Sequence, residues 1–161
     1  MIAKKVLLVG NFGVGKTSLI RRFVLNEFSE DYISTIGVRV STKIIDLNSE
    51  KIKLLIWDVA GTNADEKVPK AYFLGASAAM YVFDVTREDT YLNLEQQLNT
   101  VKDLSGLKNI TIVGNKKDLL SQTELQTLKE KIAIPIDLIT SAKENENVED
   151  AFIILAKQSL N

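Results

Sequence analysis

The feature that most constrains this chain is Gly10-x-x-x-x-Gly15-Lys16-Thr17, a stretch that satisfies the phosphate-loop spacing G-x-x-x-x-G-K-[ST]. Its flanks suit that reading. Val6-Leu7-Leu8-Val9 reads as a strand buried on both faces, and Leu19, Ile20, Phe23 and Val24 recur at helical spacing just after it. A strand, a glycine loop and a helix bring backbone N–H groups and a positive helix end to one point, where polyphosphate is favoured. The expected phosphate contacts are Gly10, Gly13, Val14, Gly15, Lys16, Thr17 and Ser18. Lys16 adds a positive charge, and Thr17 offers a hydroxyl to Mg²⁺.

The rest of the chain alternates in the same way. Residues 26–37 are polar and without a clear period, a loop longer than a tight connection needs and so a candidate functional segment. Residues 38–47 and 51–57 are β-rich and joined by Asn48-Ser49-Glu50, which suggests an antiparallel hairpin. Pro69 suits the first turn of a helix, so a short helix is expected over 69–74. Further strands are expected at 79–85, 110–113 and 136–139. Helical faces are marked by Tyr91, Leu94, Leu98 and Val101, by Leu125, Leu128 and Ile132, and by Val148, Phe152 and Leu155. This order predicts one α/β domain over residues 1–161, with a mostly parallel sheet and helices on both faces. Ligands of such sheets sit outside the carboxyl ends of the strands, and the polar motifs of this chain each follow a strand end or lead into one.

Composition excludes several chemistries. There is no Cys and no His, so thiol nucleophiles, thiolate zinc sites and imidazole bases are ruled out. A net charge of −1 gives no electrostatic case for nucleic acid. No apolar run approaches a membrane span, Ile2 rules out N-myristoylation, and no Cys is present to take a lipid. A cytoplasmic protein without a direct lipid anchor is expected.

Three further groups carry chemistry. Asp58 ends a strand and is followed by Gly61; such a carboxylate can hold Mg²⁺, and such a glycine lets an N–H reach a terminal phosphate. An aspartate in an ordinary turn is the plain alternative. In Asn115-Lys116-Lys117-Asp118 the last carboxylate can accept two parallel N–H bonds from guanine, whereas adenine would set an acceptor against it. The stem of Lys116 can lie over the base, and Asn115 can tie loops together; a polar turn before a helix is the alternative. Thr35 in the long loop can complete Mg²⁺ coordination when a third phosphate draws the loop in, and Phe28 can shield the base, though a loop threonine and a core aromatic are commoner.

The set Gly10-x-x-x-x-Gly15-Lys16-Thr17, Thr35-Ile36-Gly37, Trp57-Asp58-x-Ala60-Gly61, Asn115-Lys116-x-Asp118 and Thr140-Ser141-Ala142-Lys143 resembles the Ras superfamily of small GTPases. Within it the chain is most similar to the Rab branch, through residues 53–57, 72–76 and 81–86. The resemblance covers almost the whole chain. It implies a small G-domain with a six-stranded sheet and one antiparallel strand, GDP or GTP bound with Mg²⁺, and two switch loops at about 27–37 and 58–74. It also implies that Ser141, Ala142 and Lys143 help surround the guanine, that Thr17, Thr35 and Asp58 hold the metal, and that exchange factors, GTPase-activating proteins and effectors read the switches.

The chain departs from the family pattern at several places. Thr62 and Asn63 stand where the family usually has Gln-Glu, the Gln of which orients the attacking water. Phe12 replaces a usually small residue, Val40 replaces an aromatic of the Rab branch, and the C-terminal cysteine tail of that branch is not found after Asn161. The expectation is a guanine-nucleotide switch with Lys16, Gly61 and Thr62 at the reacting phosphate and slow hydrolysis. Two rivals remain open: a GTP-binding module with negligible hydrolysis, and a phosphate-loop ATPase or kinase, against which Asp118 argues.

Overall fold

The computed structural model describes residues 1–26, 38–59 and 68–161. The first strand, β1 (Ile2–Val9), is the middle of a six-stranded sheet among these residues, formed with β2 (Val38–Leu47), β3 (Glu50–Val59), β4 (Ala78–Asp84), β5 (Thr111–Asn115) and β6 (Leu138–Ile139). The strand order is β2-β3-β1-β4-β5-β6, and every neighbouring pair is parallel except β2 with β3. Parallel strands need crossovers that cover the sheet, so their residues are apolar on both faces. All seven residues of β4 are buried: Ala78, Met80 and Val82 face one layer, and Ala79, Tyr81 and Phe83 the other.

Helices α1 (Lys16–Leu25) and α4 (Val148–Ser159) cover the first of these faces. Helices α2 (Leu94–Ser105) and α3 (Gln122–Lys131) cover the second. The first layer is locked by Phe23 of α1 and Phe152 of α4, whose rings stack with centroids 4.1 Å apart and planes 3° from parallel. Helix ends follow local chemistry. Asn26 ends α1 and Gly106 ends α2, both in the left-handed conformation. At the start of α3 the Ser121 hydroxyl accepts from the Glu124 N–H and donates to its carboxylate, a reciprocal cap. Among the described residues no helix is long and apolar enough to cross a membrane.

The expected architecture is present: a mostly parallel six-stranded sheet with one antiparallel strand and helices on both faces. Its details differ in five places. Leu47 pairs with Glu50, so the hairpin loop is only Asn48-Ser49, with φ of 49° and 75°. Two positive φ values match the right-handed twist of the strands, which is why two residues suffice. The helix expected over 69–74 is a single 3-10 turn, Lys70–Tyr72. Tyr91 lies in the turn before α2, and Ile132 is the extended residue that closes α3. The last strand is two residues long, because the Ile112 N–H that would extend the ladder toward residue 136 is taken by a side chain. Asp137 continues the pairing in another way: its N–H donates to Ile112 O and its carboxylate accepts from Ile112 N.

Phe152 is wholly buried and has the Phe23 ring as its main partner. Phe152→Ala should therefore lower unfolding stability by about 3–5 kcal/mol, since the stacked partner leaves little room for collapse. Urea denaturation followed by circular dichroism checks this.

Candidate functional site

The parallel strands β1, β3, β4, β5 and β6 end on one rim, and the described motifs gather there. Residues 10–17 wrap from the end of β1 into α1. Gly10, at φ 148°, passes so close to β4 that a Cβ would stand 2.1 Å from Val82 O. Gly15, at φ 102°, is the N-cap of α1, and a Cβ there would stand 2.2 Å from Asn115 Nδ2. The first N–H groups of a helix have no partner within it, and a glycine cap supplies no side chain to satisfy them. That end of α1 is a donor-rich, positive pole. Val14 is in the core, so only its backbone can serve the site. Ser18 lies half-buried in the first turn.

Lys16 lies inside the loop with 6% of its surface exposed, its Nζ donating to Gly10 O at 3.1 Å and Asn11 O at 3.2 Å. Burial lowers this ammonium to about 8, with the Asp58 charge opposing the shift. Asp58 is itself buried at the end of β3, and burial raises its carboxyl above the usual range. The Thr17 hydroxyl, Lys16 and Arg39 act against that rise. Thr17 Oγ1 donates to Asp58 Oδ2 at 2.5 Å. Among the described residues Asp58 Oδ1 is buried without a hydrogen-bond partner. An orphaned carboxylate oxygen beside a threonine hydroxyl is a hard oxygen donor set, which fits Mg²⁺.

The second wall comes from the ends of β5 and β6. Asn115 is 2% exposed, and its amide spans three segments. Nδ2 donates to Val14 O at 3.0 Å, while Oδ1 accepts from Thr140 Oγ1 at 3.0 Å and Ala142 N at 3.3 Å. Lys116 follows with φ 72°, unusual for a residue with a side chain, and its Nζ donates to Gly13 O at 2.9 Å. Asp118 is exposed on the rim, where the buried Ser141 hydroxyl donates to its Oδ1 at 2.7 Å. One carboxylate oxygen is thus fixed, and the group is held in one orientation. Ala142 is buried and Lys143 exposed, and the two follow Ser141 around the same edge.

The structure therefore brings together Gly10, Gly13, Val14, Gly15, Lys16, Thr17, Ser18 and Asp58 on one side, and Asn115, Lys116, Asp118, Ser141, Ala142 and Lys143 on the other. Phe28, Thr35, Gly61, Thr62 and Asn63 lie outside the described residues. Supporting residues emerge that the motifs do not single out. Arg22 of α1 donates to Ala142 O at 2.8 Å and Lys143 O at 3.0 Å. Tyr81 donates its hydroxyl to Asn11 Oδ1 at 3.2 Å, and burial pushes its phenol up to about 12. Asp84, 1% exposed, pairs with Lys116 Nζ at 2.9 Å. A basic residue on an amphipathic helix looks the same whether it is solvated or spans loops, but Asp84 ending an apolar run is a readable signal.

The sequence profile of the Ras family matches residues 5–161 of this chain. The chain is similar to the Ras-related protein SEC4 of Saccharomyces cerevisiae, with 37% identity over 158 residues, 95% of this chain and 73% of that protein. It is also similar to the Ras-related protein Rab-1A of Dictyostelium discoideum, with 40% identity over 164 residues, 98% and 80% of the two chains.

The depressed Lys16 ammonium has a consequence for stability. Below about pH 8 the folded chain bears the full cost of a buried charge. As pH rises from about 8, the folded state sheds this proton before the unfolded chain does, so the cost fades. Without ligand, stability should rise between about pH 8 and pH 10 by up to about 3 kcal/mol from this group. Above that range Tyr81, which resists ionisation when folded, opposes the gain. Guanidinium denaturation across this window should show the rise in the unmodified chain and a weaker one in Lys16→Met.

Proposed function

Since this chain belongs to the Ras family, we propose that it is a guanine-nucleotide switch that binds GDP and GTP with Mg²⁺ and hydrolyses GTP slowly. The observation that carries this reading is the Asn115 amide, which locks the phosphate loop to the loop that orients Asp118. A phosphate cradle and a base-reading carboxylate held to each other by buried hydrogen bonds suit a ligand with both parts.

Each residue has a proposed role. Gly10, Gly13, Val14, Gly15, Lys16, Thr17 and Ser18 take the phosphates through backbone N–H groups and the Lys16 ammonium. Asp118 accepts the N1–H and amino group of guanine, and Lys116, Ser141, Ala142, Lys143 and Phe28 enclose the base. Thr17 and Asp58, with Thr35 in the GTP state, hold Mg²⁺, which neutralises charge on the phosphate oxygens when bound. Lys16 gains from the same event: the phosphates replace carbonyl partners with full negative charge and offset the desolvation that makes its charge costly.

Thr35 and Gly61 contact the third phosphate in this reading, so segments 27–37 and 58–74 differ between the GTP and GDP states. Exchange factors, activating proteins and effectors would read that difference. The protein acts in the cytoplasm, without a lipid anchor within this sequence.

Slow turnover follows from position 62. Thr is shorter than Gln and lacks the paired carbonyl and amide that orient a water while contacting phosphate. Losing one preorganised polar group in such a site costs ~10²–10³ in rate. Phe12, with 40% of its surface exposed, would obstruct an arginine supplied by a partner if it projects toward the third phosphate as the family resemblance implies. Single-turnover hydrolysis of GTP should be faster in Thr62→Gln and faster again when Phe12→Gly is added. Equal rates in all three chains would show that another group orients the water.

A further inference from the structure

Two successive carbonyls at the tip of the phosphate loop each accept a hydrogen bond from a cation. Lys116 Nζ donates to Gly13 O at 2.9 Å, and Arg87 Nη1 donates to Phe12 O at 2.9 Å. The second contact crosses 75 positions of sequence, from the turn after β4 to the loop after β1. Its guanidinium lies 3.2 Å from the point where a Cβ on Gly13 would stand. The motif spacing of the loop does not call for this arginine.

Peptide geometry gives the contact a consequence. In a planar trans peptide the carbonyl and the following N–H point in opposite directions. A cation held on Phe12 O therefore fixes the plane that carries the Gly13 N–H, with that N–H directed away from Arg87. It also draws electron density toward the oxygen and makes the N–H a stronger donor. Lys116 does the same for the next peptide, which carries the Val14 N–H. Gly13, without a Cβ, is the residue least able to hold its own peptide planes, so an external tether matters most there.

One buried carboxylate organises both cations. Asp84 Oδ1 accepts from Thr86 N at 2.8 Å and Thr86 Oγ1 at 2.6 Å, and Asp84 Oδ2 pairs with Lys116. The first two bonds fix the turn that delivers Arg87. The Arg87 N–H donates to Asp84 O at 3.0 Å, and Thr90 Oγ1 donates to Arg87 O at 2.7 Å. Nη2 of the same guanidinium reaches Asp89 at 3.3 Å, an exposed pair that orients the fork but adds little energy. An arginine suits the place, because its rigid fork spans a carbonyl and a carboxylate at once.

We propose that Arg87 is a positioning residue for the bound nucleotide: it holds the Phe12–Gly13 peptide so that the Gly13 N–H meets the phosphates, and thereby sets how long nucleotide is retained. This rests on the reading of residues 10–17 as the nucleotide's phosphate loop. Arg87 does not touch the ligand; it acts through Phe12 O.

The test uses the unmodified chain, Arg87→Ala and Arg87→Lys, each loaded with N-methylanthraniloyl-GDP and chased with excess GDP. Release from Arg87→Ala should be roughly tenfold faster, the loss expected of one charge-assisted bond at a half-exposed site. Arg87→Lys, which keeps the charge but not the fork, should lie between. The amide nitrogen chemical shift of Gly13 in the GDP-bound state supplies the second readout. It should move in Arg87→Ala, while those of Gly75 and Gly106, away from the site, stay in place. Unchanged release, or faster release with an unmoved Gly13 resonance, would overturn the proposal. A chain that binds no guanine nucleotide before substitution would instead overturn the reading beneath it.

Discussion

The Asn115 side chain holds the site together. Its amide nitrogen bonds to Val14 O in the loop after β1, and its oxygen receives Thr140 and Ala142 after β6. Three segments remote in sequence thus meet on one group that is 2% exposed. An amide can do this because it offers donors on one side and two acceptor lone pairs on the other. An aspartate would lose the Val14 bond and bury a charge, and an alanine would leave Val14 O and the Ala142 N–H without this partner, at about 1–3 kcal/mol each. The contact also dictates Gly15, which has no room for a Cβ beside the Asn115 amide.

Around that tie the electrostatics suit an anion and a cation bound together. A lysine and an aspartate lie buried within reach of each other, both displaced by burial from their usual protonation ranges. The lysine rests on backbone carbonyls, and one oxygen of the aspartate has no partner among the described residues. Buried polar groups are rarely left in this condition unless they serve a site. Phosphate oxygens for the lysine and a divalent cation for the carboxylate would relieve both costs at once. Further out, Asp84 distributes its two oxygens between a turn and Lys116, so the rim behaves as one connected network.

Much of this is legible in the chain. The spacing of Gly10, Gly15, Lys16 and Thr17 between an apolar strand and a helix predicts the glycine turn from β1 into α1, and Asn115 ties loops together as expected. Elements are readable wherever apolar residues keep a strict period, as in α1 and α4. The period misleads where another bond takes over from it. The strand expected from 136 begins only at Leu138, because the Asp137 carboxylate takes the Ile112 N–H in place of a backbone acceptor. Tyr91 continues the apolar spacing of α2 but packs its ring on Phe83 from the preceding turn. Arg22 and Arg87 act through long-range bonds to carbonyls, and such bonds leave no trace in a pattern of residue types.

Asp118, fixed by Ser141 and joined to the phosphate loop through Asn115, is what would make this a guanine site rather than a general nucleotide site. Calorimetric titration of the chain, stripped with a chelator and returned to Mg²⁺, with GDP and separately with ADP tests that most directly. The two ligands share their diphosphate, so the difference isolates the base. A carboxylate that meets two donors in one base and an acceptor in the other predicts that GDP binds at least about a hundredfold more tightly. Equal affinities, or tighter binding of ADP, would contradict the account.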